Sequence, residues 1–125
     1  MLIAIRKEEN GQIYLDKNLR PEIDYTSPPY NFKLIEIDEK FSNIQETDFN
    51  EDLTFNTQKY NNRITTEQIL SKIEYLKQQL SQTDYQAIKF AENEISLEEY
   101  SQTKTNRANW RQQINELELQ LKDLL

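Results

Sequence analysis

Apolar positions follow two different rules along this chain, and the rule changes near residue 62. Beyond it neither Pro nor Gly occurs for more than sixty residues, so only capping residues can end a helix there. Ile69, Ile73, Leu76 and Leu80 repeat at 4-3-4 spacing, and Trp110, Ile114, Leu117, Leu121 and Leu124 at 4-3-4-3 spacing. Each run is the stripe of an amphipathic helix. Tyr85 and Ile88 extend the first stripe after an interruption at residues 81–83, where Thr83 could recap the helix. Thr65-Thr66-Glu67-Gln68 and Ser96-Leu97-Glu98-Glu99 have capping-box spacing, with Ile64 and Ile69 placed as a hydrophobic staple. The pattern predicts helices over 66–94, continuous or broken near 81–83, and over 97–124, each about 42 Å long. Folding about residues 95 and 96 brings Leu117 near Ile73 and Leu121 near Leu70, an antiparallel hairpin whose core is these eleven apolar residues.

Before residue 62 the period is that of strands. Leu2 to Lys7 and Gln12 to Leu15 flank Glu8-Glu9-Asn10-Gly11. Asn-Gly between two β-prone runs signals a hairpin, because both residues tolerate positive φ. Phe32 to Ile37 predicts a third strand, after a loop that Pro28 and Pro29 keep extended. Residues 38–62 are expected to be irregular, pinned by Phe49, Leu53, Phe55 and Tyr60. The fold class is therefore α+β, a small N-terminal antiparallel β segment followed by a long C-terminal α-helical hairpin. Three parts follow: a β-rich module over 1–47, an acidic and aromatic connector over 48–64, and the hairpin over 65–125.

Composition narrows what such a fold can do. Of 125 residues, 36% are apolar and 30% charged, proportions that favour an elongated shape or an oligomer using the helical seam. Seven Tyr, five Phe and one Trp argue against wholesale disorder. The net charge of −7 disfavours nucleic acid, whose binders need a basic face. Seven acids and one base lie between Glu36 and Asp52, either a mobile solvated connector or a dock for a basic surface. No run approaches the ~20 apolar residues of a membrane span, and the apolar start of about five residues is too short for a signal-peptide core. The chain reads as complete, soluble and made in a cytosol.

Catalytic chemistry finds little support. Without His or Cys there is no conventional triad and no zinc site, and a single glycine excludes a glycine-rich phosphate loop. Asp48-Phe49-Asn50-Glu51-Asp52 begins like a calcium loop, but Leu53 stands where Gly is needed and Lys59 where the closing Glu belongs. Acidic pairs such as Glu92 with Glu94 read as helix surface. No catalytic, cofactor-binding or metal-binding residue is assigned, and the chain is expected not to be an enzyme. Trp110 is expected inside the hairpin, while Arg107 and Arg111 are placed to pair with Asp84 or the Glu92/Glu94 group. Tyr100, Arg107 and Arg111, with Phe49, Phe55 and Tyr60, are the candidate interface residues.

The run Leu80-Ser-Gln-Thr-Asp84-Tyr85-Gln-Ala-Ile88-Lys89-Phe90-Ala91-Glu92, then Ile95-Ser96-Leu97-Glu98-Glu99-Tyr100 and Arg107-Ala-Asn-Trp110-Arg111-Gln-Gln-Ile114-Asn115-Glu116-Leu117, resembles the C-terminal helical hairpin of small tail-module proteins from phages and prophages of Gram-positive bacteria. Residues 48–63 resemble the segment that precedes it, so the likeness spans roughly 48–118. The overall layout is also similar to tail-fibre assembly chaperones. The turn residue in the bend, often Gly in the family, is replaced by Asn93 and Glu94. The resemblance implies a fibre or baseplate protein as partner, reached in the host bacterial cytoplasm during assembly or held in the virion tail. Three functions follow as expectations: a tail-fibre assembly chaperone, a minor structural component of baseplate or fibre, or an acidic inhibitor of a host defence protein.

Overall fold

The computed structural model describes residues 1–125. Three strands form one antiparallel sheet: β1 (Leu2–Lys7), β2 (Ile13–Asp16) and β3 (Lys33–Glu36), in the order β2-β1-β3. The β1–β2 turn is closed by Gly11 N–H donating to Glu8 O at 2.9 Å and Glu8 N–H donating to Gln12 O at 2.8 Å. Gly11 alone of the Asn-Gly pair takes a positive φ, +86°. The turn is therefore the three-residue kind that ends in a left-handed glycine. Before β3, Tyr30 and Asn31 both donate to Ser27 O, so the proline loop turns back on itself instead of running extended.

The centre of the sheet is covered on both faces, since Ile3, Ala4 and Ile5 of β1 are all fully buried. Burying an Ile side chain stabilises by about 1.5–3 kcal/mol. On the Ile3/Ile5 face, Lys7 Nζ reaches Glu51 O at 3.3 Å and Lys17 Nζ reaches Ile44 O at 3.0 Å. These bonds hold the segment after β3 on that side. On the Ala4 face, Arg6 donates to Tyr30 O at 2.6 Å and lies 4.7 Å from the Phe32 ring centroid.

Residues 38–56 are more ordered than a mobile connector. Two 3₁₀ turns, Glu39–Phe41 and Glu46–Asp48, are followed by a bridge pairing Phe49 with Phe55. Asp38 accepts from Lys40 N–H, and buried Asp48 accepts from Gln45 N–H at 2.8 Å. Phe41, Phe49, Phe55 and Tyr60 then form an aromatic cluster with centroids 5.0–5.9 Å apart. Leu53 plays a different part from the expected pin: it takes the left-handed conformation, φ 69°, in the tight turn closed by Leu53 N–H to Asn50 O at 2.9 Å.

Two helices complete the chain, α1 (Thr57–Ala91) and α2 (Leu97–Leu124). The chain divides into compact units at Met1–Asn62 and Arg63–Leu125, so the first residues of α1 belong to the aromatic unit. Helix α1 starts well before residue 66 because Asn56 caps it, its Oδ1 accepting from Lys59 N–H at 3.0 Å. Thr65-Thr66-Glu67-Gln68 lies inside the helix and caps nothing. At Thr83 the helix runs on; the hydroxyl donates back to Gln79 O and Leu80 O, which satisfies it without a break. The end comes at a Schellman motif, with Glu94 N–H to Lys89 O at 2.8 Å, Asn93 N–H to Phe90 O at 3.1 Å, and Asn93 at φ 62°. Ser96 and Glu99 form the expected reciprocal capping box of α2.

Ile69, Ile73, Leu76 and Ile114 are buried at the centre of the hairpin seam, with Leu80, Trp110, Leu117, Leu121 and Leu124 packed against them. Tyr85 and Ile88, expected in this core, are 67% and 54% exposed. Uninterrupted α1 explains the correction. Without a recap at Thr83, the inward positions after Leu80 fall at Thr83, Ala87 and Phe90, all three half-buried.

Candidate interaction surface

Seam chemistry changes toward the closed end of the hairpin. Phe90 stacks on Tyr100, ring centroids 4.7 Å apart and planes 8° off parallel. Thr103 donates its hydroxyl to Gln86 at 2.9 Å. Next along the seam is Arg107, which donates to Leu80 O at 2.8 Å, Thr83 Oγ1 at 2.6 Å and Asp84 Oδ1 at 3.0 Å. Its Nε is buried without a hydrogen-bond partner. The arrangement is a polar layer inside an otherwise apolar seam, with its carboxylate at the rim. It ties the two helices together across the seam and pairs the Arg107 guanidinium with Asp84.

This geometry revises the expected interface residues. Tyr100 and Arg107 are buried, Arg107 at 8% exposure, and only Arg111 of that trio stays on the surface. Phe49 and Tyr60 are buried and Phe55 is half-buried. Aromatic and Arg side chains suit interfaces, but here each of these is used within its own unit. The Arg107–Asp84 pairing was among the expected ones.

The exposed apolar surface of the first unit lies where no residue had been assigned. On the Ala4 face, Leu2, Tyr14 and Leu34 stand on the three strands with Tyr30 beside them, and all four are exposed. Arg6 runs between them, 5.6 Å from the Tyr14 centroid, with its Nη2 paired to Glu8 at 2.9 Å. Asp16 and Glu36 occupy the same face, Glu36 paired with the Met1 ammonium at 2.8 Å, so the apolar residues have a charged rim. Alternation along the strands was the available signal: Leu2, Ala4 and Arg6 share one face with Tyr14 and Leu34 once the register is known.

The two sheet edges differ. Beside β2 lies an open groove of 680 Å³ lined by Gly11, Gln12, Ile13, Tyr14, Glu46, Thr47, Phe49 and Lys59. No hydrogen bond from the rest of the chain reaches the outer side of Leu34 or Glu36 in β3. Two carboxylates in loops of this unit titrate low. The Ser27 and Thr26 hydroxyls hold Asp24 below the ordinary range, and the Thr54 hydroxyl and N–H do the same for Asp52. No group of His, Cys, Asp and Glu side chains is arranged to hold a metal ion, and no helix is long and apolar enough to cross a membrane.

No protein-family model, curated protein or solved structure matches the chain.

Proposed function

We propose that this chain is a non-enzymatic interaction protein of a phage tail module, acting as a tail-fibre assembly chaperone in the host bacterial cytoplasm. The observation that carries the interaction reading is the exposed group Leu2, Tyr14, Tyr30 and Leu34 on one face of the sheet. Apolar surface grouped in this way, with a polar rim, is characteristic of protein-binding sites. The tail assignment is supported by the likeness of residues 48–118 to tail-module proteins. The acidic-inhibitor reading is weakened by the use made of the acids: Asp38, Asp48 and Asp52 accept local hydrogen bonds that shape turns.

The test is co-expression with the fibre or baseplate protein encoded beside this chain, followed by mass measurement during size exclusion and analysis of purified particles. A complex with the neighbouring protein, and absence from finished particles, is the expected outcome. Stable presence in particles would instead make the chain a minor part of baseplate or fibre. Absence of any tail partner would remove the tail assignment.

A further inference from the structure

We infer that the outer edge of β3 accepts an extended segment of a partner protein as a fourth, antiparallel strand, and that this segment reads basic–apolar–apolar along its chain. Met1 and Ile37 exchange both main-chain hydrogen bonds, each at 2.8 Å. Hydrogen-bonded pairs alternate along an antiparallel ladder, so Ile35 and Lys33 also turn their backbone groups toward β1. The N–H and C=O groups of Leu34 and Glu36 therefore face outward. The β2–β1 side agrees with this phase, because Glu8 N–H bonds Gln12 O there. At the far end of the edge, Phe32 N–H is already taken by Tyr25 O at 2.7 Å, which limits the open stretch to Leu34–Glu36. An edge with such groups unpaired is a template for strand addition.

Side chains beside the edge specify the occupant. An incoming strand with its residues opposite Glu36 and Leu34 would place both on the Ala4 face, next to exposed Leu2 and Leu34. Glu36 accepts from the Met1 ammonium through Oε1 at 2.8 Å and keeps its side chain 74% exposed, so its second carboxylate oxygen is the one open to a basic residue, while Leu34 calls for an apolar one. The residue between them faces half-buried Ile35 and is apolar too. A second copy of β3 does not satisfy this. Leu34 and Glu36 are the outward residues on both copies, so Glu36 would meet Glu36, Leu34 or Phe32 and never Lys33. The inference rests on the interaction reading above; its failure would remove the strand-addition mode, whereas co-expression tests that reading itself.

The probe is a blocked hexapeptide, Thr-Lys-Val-Val-Glu-Thr, with the charge-swapped Thr-Glu-Val-Val-Lys-Thr as control, each titrated into the ¹⁵N-labelled full chain. Amide shifts centred on Leu34 and Glu36 are expected, with the swapped peptide about fivefold weaker. Glu36→Gln, which can still accept from the Met1 ammonium, should abolish the parent's preference between the two peptides while the amide spectrum outside β3 stays that of the parent. Shifts confined to the β2 groove, no shifts at β3, or equal binding of the two peptides would each overturn the inference. A peptide-free dimer with protected Leu34 and Glu36 amides would overturn it in favour of a second copy.

Discussion

Arg107 of α2 crosses the hairpin seam to donate to the main-chain oxygen of Leu80 at 2.8 Å. A backbone acceptor cannot be moved by a rotamer change, so this bond sets the helix register directly. The same Nη1 holds Thr83 Oγ1, and Nη2 holds Asp84, which remains largely solvated. The layer breaks an apolar stripe at one place, as polar residues at inward positions of coiled coils do when they specify pairing.

Arg107→Ala should destabilise the hairpin by about 1–3 kcal/mol, through lost packing of the side-chain stem and lost hydrogen bonds. Arg107→Met should be near neutral or stabilising, because it also removes the cost of burying a guanidinium whose Nε has no partner. Asp84→Asn should cost under about 1 kcal/mol, as expected for an exposed pair. Urea unfolding checks all three. A loss of several kcal/mol in Arg107→Met would show that the Arg107 hydrogen bonds and ion pair stabilise the hairpin well beyond the cost of burying the guanidinium.

The shifted phase of α1 separates two sets of residues that look alike in sequence. Leu76→Ala should lose about 2–5 kcal/mol, since Leu76 is among the most deeply buried side chains. Tyr85→Ala and Ile88→Ala should each stay within about 0.5 kcal/mol, as surface substitutions do. Thermal unfolding by circular dichroism distinguishes them.

Asn93 closes α1 in a left-handed conformation, φ 62°, where a side chain other than Gly is strained. Asn93→Gly is expected to be neutral or to stabilise by up to about 1 kcal/mol, and Asn93→Val to destabilise by at least as much. Denaturant midpoints of the two variants, on opposite sides of the parent value, are the readout.

Asp24 and Asp52 both titrate below their ordinary value of 3.8 because local hydroxyls bond the carboxylate. A depressed folded-state value means the contribution is complete above the unfolded value and lost as pH falls through the folded one. As pH falls below the ordinary value of 3.8 the parent should therefore lose more thermal stability than the Asp24→Asn, Asp52→Asn double variant. Melting temperature as a function of pH tests this; parallel curves for the two proteins would contradict it.

Much of the architecture was legible in short-range chemistry. Two helices, their antiparallel pairing, the Ser96 cap and the β1–β2 hairpin follow from heptad spacing, a four-residue cap pattern and one Asn-Gly step. These depend on neighbours within a turn or two, and neighbours in sequence are what a sequence displays. The start of α1 was missed because Asn56 lies in the aromatic segment, outside the periodic stripe. Its capping bond to Lys59 N–H competes on equal terms with the box at Thr65 until Phe41, Phe55 and Tyr60 pack together.

Tertiary structure decided the rest. Whether Thr83 recaps or bonds back to Leu80 sets the phase of everything after it, and that choice depends on Arg107, twenty-four residues away. Likewise the Ala4 face became a candidate surface only when register placed Leu2, Tyr14 and Leu34 on it together. A side chain's alternation is local, but which of them stay exposed depends on where residues 17–32 and 38–56 fold back, and that is a matter of packing between distant segments.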